Sequence, residues 1–252
     1  MAGDQYLLSS VGNALDILDL LSRKEFLGVA EISKELKLGK TSVFRLLYTL
    51  EAKGFVLKDG HAKYMLSKKF SYFGDVVAQR RDDYALAKPE LIKLRDRVNE
   101  TVHMSMLLSN NHVIFVEKIN ANHNLQMQSR IGFEMPAYCS GMGKVLLSAF
   151  LDTERERELK ELKFEKHTET TISNCEDLLK ELRKIKQQGY GIDNEESEVG
   201  LACVAVPVLD KDGNCHLAIS VSGAAQRIME NAERYIKELR KTAARISELL
   251  GL

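Results

Sequence analysis

Thr41, Phe44, Arg45 and Tyr48 stand at positions i, i+3, i+4 and i+7 of the segment KTSVFRLLYTLEA. On a helix they share one stripe, because side chains three and four residues apart lie above one another. A stripe of hydroxyl, guanidinium and aromatic groups can reach phosphate oxygens and base edges in a DNA major groove. Lys40 and Ser42 flank it at the helix start. Val43, Leu46, Leu47 and Leu50 form a second stripe that would hold the helix on a core. An ordinary helix in a small bundle has the same aliphatic pattern, so the helix alone leaves both readings open. Its surroundings are basic: Lys34 to Lys69 holds nine Lys or Arg against three Asp or Glu, in a chain of zero net charge. That asymmetry implies an interaction face near one end, although a solvated basic surface without a partner has the same charge.

A second set of candidates lies in the other half. YCSGMGKVLLSAF puts Ser140, Gly141, Met142 and Gly143 at a helix start, where free backbone N–H groups and the helix dipole favour an anion such as a carboxylate. Gly141 has no Cβ, so a ligand could approach its backbone closely; a plain serine N-cap with packing glycines is the alternative. In HLAISVSG, Leu217, Ile219 and Val221 alternate with Ala218, Ser220 and Ser222. The serine face could floor a cup for a polar ligand, or simply face solvent. Cys203 and His216 fall on neighbouring predicted strands, but a Cys nucleophile needs a base in contact, and no nucleophile elbow or oxyanion motif surrounds Cys203. Six His and four Cys show no HxxxH or CxxC spacing, so neither a metal nor a cofactor is expected. Phosphate-binding glycine loops are absent too. No enzymatic activity is expected.

The elements that position these residues follow from periodicity. In VGNALDILDLL, after Ser9 and Ser10 as caps, Val11, Ala14, Leu15, Leu18 and Leu21 recur at helical spacing. VAEISKEL gives a second short helix with Val29, Ile32 and Leu36 inward. Leu38-Gly39-Lys40 supplies a tight turn through Gly39, and Thr41 or Ser42 opens the third helix, which Gly54 ends. FVLKDGHAKYML reads as a hairpin turning at Asp59-Gly60. Three helices and a basic hairpin make a winged helix-turn-helix, with Lys58, His61 and Lys63 of the wing near backbone phosphates. This head spans residues 1–66. Residues 67–83 form a connecting helix, with Phe70, Phe73, Val76 and Val77 as its apolar stripe and Asp82-Asp83 as a cap for the next turn.

Residues 84–252 form the second domain. A helix starts near Lys88, before Pro89, and buries Leu91, Leu94 and Val98. TVHMSMLL and HVIFVEKI flank Asn110-Asn111 as a hairpin, and LQMQSRI adds a strand. Helices near Ser140–Phe150, Thr153–Leu162 and Glu176–Gln188 follow. Strands return at Tyr190–Asp193, Cys203–Leu209 and His216–Ser222, before a last helix from about Arg227 to Leu249. The class is α+β: a winged helix-turn-helix plus an antiparallel sheet packed with helices.

LGKTSVFRLLYTLEAKGFV resembles the recognition region of the IclR family of bacterial regulators, through Lys40, Thr41, Ser42, Val43, Phe44, Arg45, Leu46, Leu47, Leu50, Lys53, Gly54 and Phe55. Residues 191–210, with Gly189 just before them, resemble the family's second signature, with Gly189, Asp193, Glu196, Cys203, Val204, Ala205, Val208 and Asp210 in place and Leu209 where an aromatic or His is usual. The resemblance covers about residues 9 to 250. It implies a GAF/profilin-like effector domain and effector contacts at Gly141, Asp193, Leu201, Cys203, Ser220 and Ser222. It also implies a homodimer, or a homotetramer built as a dimer of dimers, reading palindromic double-stranded DNA. The implied effector is a small carboxylate meeting the Gly141 amides, Ser220 and Ser222, with Asp193 taking hydroxyl groups and Leu201 closing the apolar side. RIGFEMPAYCSGMGK is similar to the sugar-acid-responsive, KdgR-like branch. An effector would shift the relative pose of the two domains through the connecting helix. The alternative is a sensor whose winged helix binds protein rather than DNA.

Composition bounds the setting. No run of about 18 apolar residues occurs, so no membrane helix is expected. MAGDQYLLSS lacks a secretory pattern, and the four cysteines (Cys139, Cys175, Cys203, Cys215) show no paired spacing. Free thiols in a reducing cytoplasm are the expectation.

Overall fold

A computed structural model describes residues 7–79, 84–123 and 129–252 of the chain. It separates into two compact units, Met1–Asp82 and Asp83–Leu252.

The first unit is built from helices α1 (Ser9–Arg23), α2 (Val29–Leu36) and α3 (Lys40–Ala52) and the antiparallel strands β1 (Val56–Lys58) and β2 (Tyr64–Leu66). Helix α4 (Lys69–Gln79) follows. Ile17, Leu21, Ile32, Val43, Leu47, Leu50, Val56 and Tyr64 form its core, and each such buried aliphatic contributes about 1.5–3 kcal/mol. Four local expectations are corrected. Helix α1 is capped by Leu8 without a side-chain bond, and Ser9 and Ser10 lie inside its first turn. Its buried face is Ile17 and Leu21, while Val11 and Leu15 are half exposed. The chain reverses between α2 and α3 through Lys37, at φ 54°, and not through Gly39, which caps α3 at φ −62°. Helix α3 therefore starts at Lys40. Gly54 does end it, in the left-handed region at φ 75°, with the Phe55 N–H donating back to the Leu50 carbonyl at 2.8 Å.

Helix α4 is anchored at its start. Phe55 packs against Phe70 and stacks on Phe73, and Lys69 lies over the Phe55 ring. Its expected apolar stripe is still not core: Phe73 remains exposed outside its stack on Phe55, and Val77 stands in the open. Asp82-Asp83, expected as a cap, lies outside the described residues.

The second unit is a six-stranded antiparallel sheet. Its strands are β3 (Thr101–Leu107), β4 (His112–Ile119), β5 (Glu134–Pro136), β6 (Gly191–Asn194), β7 (Leu201–Leu209) and β8 (Cys215–Ala224). They run in the order β5-β4-β3-β8-β7-β6. Helices cover both faces. On one, α5 (Lys88–Val98), α9 (Ala225–Glu230) and α10 (Ala232–Leu250) pack on Val102, Met104, Val204, Val206, Ile219 and Val221. On the other, α6 (Gly141–Ala149) and α8 (Cys175–Gln188) pack on Phe115, Cys203, Ala205 and Ala218, with α7 (Thr153–Lys160) beside them. Two-sided cover explains why β7 and β8 read as almost continuous small or apolar runs. The strand expected in LQMQSRI is corrected: residues 125–128 lie outside the described residues, 129–131 are not strand, and the edge strand is Glu134–Pro136. The long last helix is broken at Asn231 into α9 and α10, where the backbone leaves helical geometry at φ −112°, ψ 11°. No helix among the described residues is long and apolar enough to cross a membrane.

Candidate functional site

In the first unit, α3 separates its two stripes as its spacing requires. Val43 and Leu47 are fully buried, while Thr41, Ser42, Phe44, Arg45 and Tyr48 are exposed. Phe44, Arg45, Tyr48 and Thr49 line one shallow outward depression. Arg45 makes no ion pair among the described residues, so its guanidinium is available. Lys40 opens the same helix. The wing is a tied turn, in which Asp59 Oδ1 accepts the backbone N–H groups of His61 and Lys63, each at 2.8 Å. Those bonds hold the Asp59 carboxyl below its ordinary range. Lys58 and His61 are exposed, with the Lys58 ammonium over the Tyr64 ring. Lys63 is engaged differently, its Nζ resting 3.2 Å from Glu31. Glu31 in turn accepts the Gly28 N–H at the start of α2.

In the second unit, the sheet's other face forms a narrow cup under α6. Period-two alternation places Thr101, His103 and Ser105 of β3 on that face, and β8 adds Ser220 and Ser222, register partners of His103 and Thr101. Ser220 and Ser222 are both buried, so the serine face does not face solvent. A cavity is lined by His103, Phe115, Met142, Asp193, Leu201 and Ser222, among others. Cys203 lines it as well, its Sγ only 3.2 Å from where a Cβ on Gly141 would stand. The free space is about 30 Å³, room for about one water.

Of the expected residues, Met142, Asp193, Leu201, Cys203 and Ser222 line this cavity, while Gly141 and Ser220 are not part of its lining. Ser140 caps α6 by accepting the Gly143 N–H at 3.0 Å; this cap leaves the Gly141 and Met142 amides unused. Gly143 must be glycine, since a Cβ would stand 2.3 Å from the Ala137 carbonyl oxygen. The missing Cβ of Gly141 is taken up by the protein's own strands, through Cys203 and the Asp193 backbone. Replacing Ser140 by Ala is expected to cost about 1 kcal/mol, as other cap deletions do; an unchanged urea midpoint would show that the cap contributes nothing.

Asp193 is buried and raised above its ordinary pKa by that burial. Its Oδ1 accepts the Glu196 N–H and its Oδ2 the Ser197 hydroxyl, both at 2.7 Å. A carboxylate oxygen accepts two bonds, so each keeps capacity for a ligand. Thr168, Thr170 and Thr171 tie the loop after β6 by donating to the Glu195 and Glu196 carbonyls. Behind it lies a fully buried Lys144, hydrogen-bonded to Glu196.

The thiols do not support catalysis. Burial pushes Cys203 up to about 11, with Asp193 adding to the shift and the nearby Ser222 and Ser220 hydroxyls opposing it. Cys139 and Cys215 are pushed up to about 12. His216 sits at the far end of β8, exposed and 3.5 Å from Asp210. Among the described residues no cluster of ligating side chains could hold a metal ion.

Sequence reading missed His103, Lys144 and Phe115. A signal for His103 existed in the Thr101, His103, Ser105 alternation of TVHMSMLL, which mirrors the serine strand. None existed for Lys144, whose partner is 52 residues away.

Residues 10–60 match the IclR helix-turn-helix domain, and residues 76–248 match the domain described as bacterial transcriptional regulator IclR C-terminal. The chain is 36% identical over 247 residues to the transcriptional regulator KdgR of Dickeya chrysanthemi, covering 97% of this chain and 80% of that protein. To KdgR of Escherichia coli strain K12 it is 34% identical, covering 97% and 93%. The crystal structure of an IclR transcriptional regulator from Alicyclobacillus acidocaldarius superposes with a TM-score of 0.78 at 28% identity, covering 98% of this chain and all of that one.

Proposed function

This chain belongs to the IclR family of bacterial transcriptional regulators, on its KdgR-like branch, and from that premise we propose that helix α3 reads an operator while the cup under α6 senses a sugar acid. The protein is a DNA-binding transcriptional regulator with an effector-binding C-terminal unit, and not an enzyme. The observation that carries the finer reading is the two-sided helix α3. One side buries Val43, Leu47 and Leu50, and the other turns Phe44, Arg45 and Tyr48 outward.

In this reading Lys40, Thr41, Ser42, Phe44, Arg45 and Tyr48 meet the major groove. Lys58, His61 and Lys63 meet phosphates, Lys63 after leaving Glu31. Residues 67–83 join this head to the sensor. Two copies read a palindromic site, alone or as a dimer of dimers, in the cytoplasm. The acid's carboxylate takes the Gly141 and Met142 amides with Ser220 and Ser222, its hydroxyl groups use Asp193, and Cys203 and Leu201 close the apolar side. A six-carbon acid exceeds the free space, so the cup opens to admit it. Met142 and Met135, unbranched and adaptable, line the side that can repack.

The test has two arms. DNA selected from a random pool should bind with affinity that falls about 10³–10⁵-fold between 50 and 200 mM salt, if six to ten phosphates are contacted. Indifference to DNA at low salt would end the proposal. 2-Keto-3-deoxygluconate should raise the melting point, worth about 2.7 kcal/mol at one hundred times its Kd. It should also change DNA affinity, with DNA changing acid affinity by the same factor.

A further inference from the structure

The effector contacts implied by family resemblance come from α6, β6, β7 and β8. The cavity has another polar wall. His103, on β3, lines it and is fully buried. Its ring stacks on Phe115 with centroids 4.8 Å apart, which fixes the ring plane. One ring nitrogen is used: Nε2 lies 2.7 Å from the Ser129 hydroxyl. The other, Nδ1, is buried without a hydrogen-bond partner among the described residues. Buried polar atoms are nearly always paired, and Nδ1, on a side chain that lines the cavity, has no such partner among the described residues.

We propose that His103 is a specificity residue of the effector cup, pairing through Nδ1 with a hydroxyl group on the ligand's carbon chain. The inference rests on the cup being the acid-binding site. Burial, with the nearby Lys118 cation, pushes the imidazole down to about 3, so it is neutral at physiological pH. A neutral imidazole carries one N–H and one lone pair. The Ser129 hydroxyl donates or accepts, so either tautomer is open to His103. Nδ1 therefore meets a hydroxyl group as donor or as acceptor. A methylene in the same place satisfies neither and leaves the nitrogen dry. The cup accordingly selects hydroxylated acids over alkyl acids of the same length, because sites built to bond a hydroxyl reject analogues lacking it.

The experiment compares 2-keto-3-deoxygluconate with 2-ketohexanoate, which has the same carbon skeleton and keto acid but no chain hydroxyls. Calorimetric Kd values are measured on the full-length protein. Wild type should prefer the hydroxylated acid by roughly tenfold to a hundredfold or more, the cost of leaving buried groups unpaired. His103→Leu should remove most of that preference, by weakening the first acid and sparing the second. His103→Asn, which keeps a polar atom near the Nδ1 position, should retain it. Should the Leu variant fail to fold, His103→Gln replaces it, since Gln reaches toward Ser129 and offers nothing at Nδ1. Equal affinity of wild type for the two acids overturns the proposal, as does an unchanged preference in His103→Leu or His103→Gln. Binding of neither acid by wild type, with folding intact, instead removes the reading of the cup itself and takes the proposal with it.

Discussion

Lys144→Met is expected to destabilise the protein by about 3–5 kcal/mol at neutral pH, the usual cost of removing one partner of a buried ion pair. Lys144 is 1% exposed and hydrogen-bonds Glu196, itself 8% exposed, with the buried Asp193 nearby. Without the ammonium, two carboxyl groups remain in a space that excludes water. Glu196 Oε2 already lacks a hydrogen-bond partner among the described residues. Burial pushes the Glu196 carboxyl up to about 7, with Lys144 pulling the other way. A carboxyl raised above its unfolded value contributes stability that is full below about 4.5 and is lost as pH rises through its folded value. In wild type that loss runs from about 4.5 to about 7, with Asp193 acting in the same direction. Removing Lys144 raises both groups further and extends the loss to higher pH. The deficit of the variant should therefore be larger at pH 8 than at pH 5. Urea unfolding at the two pH values measures it, and equal deficits would refute the electrostatic account. Lys144→Met combined with Glu196→Leu should recover much of the loss, because a buried pair replaced by apolar groups is often close to neutral. Under the proposed function the pair also bears on sensing. It ties α6 to the loop after β6, the two sides between which an acid would sit.

Arg45→Ala is expected to weaken operator binding by about 1–3 kcal/mol, roughly tenfold to a hundredfold, concentrated at one base pair if the guanidinium reads a guanine edge. Stability should stay within about 0.5 kcal/mol, since Arg45 is exposed and makes no ion pair among the described residues. Those two readouts separate recognition from folding. Lys58→Ala provides the contrast: if the wing meets phosphates, taking one ammonium off it should weaken all sequences alike and lower the salt slope by about one. Fluorescence anisotropy on the selected site and on single-base variants distinguishes the patterns. An Arg45→Ala protein that binds the site as wild type does would show that α3 is not the reading helix.

Which readings survived the fold depended on what kind of information carried them. The two stripes of α3 were legible because spacing alone decides which side chains share a helix face, and only one stripe is aliphatic. The serine strand was legible for the same reason at period two. Gly143 and Gly54 were legible as special positions, each now tied to a specific contact or backbone angle. The stripe of α1 was misread because Val11, Leu15, Ile17, Leu18 and Leu21 leave apolar groups on more than one side. Periodicity then ranks the sides poorly, and packing against α3 and β2 selects Ile17 and Leu21.

The sequence by itself determined the local devices: a helix with opposed aliphatic and DNA-competent stripes, a hairpin wing tied at Asp59, a serine-capped glycine helix start, and a strand with one small hydroxylic face. Each is written in residues within about ten positions, where backbone geometry fixes the outcome. Only the tertiary structure decided that both faces of the sheet are covered, that His103 stands beside Ser220 with Nδ1 unpaired among the described residues, and that Lys144 meets Glu196 across 52 residues. Those arrangements join distant segments, and their energies come from burial and desolvation, which no local spacing encodes.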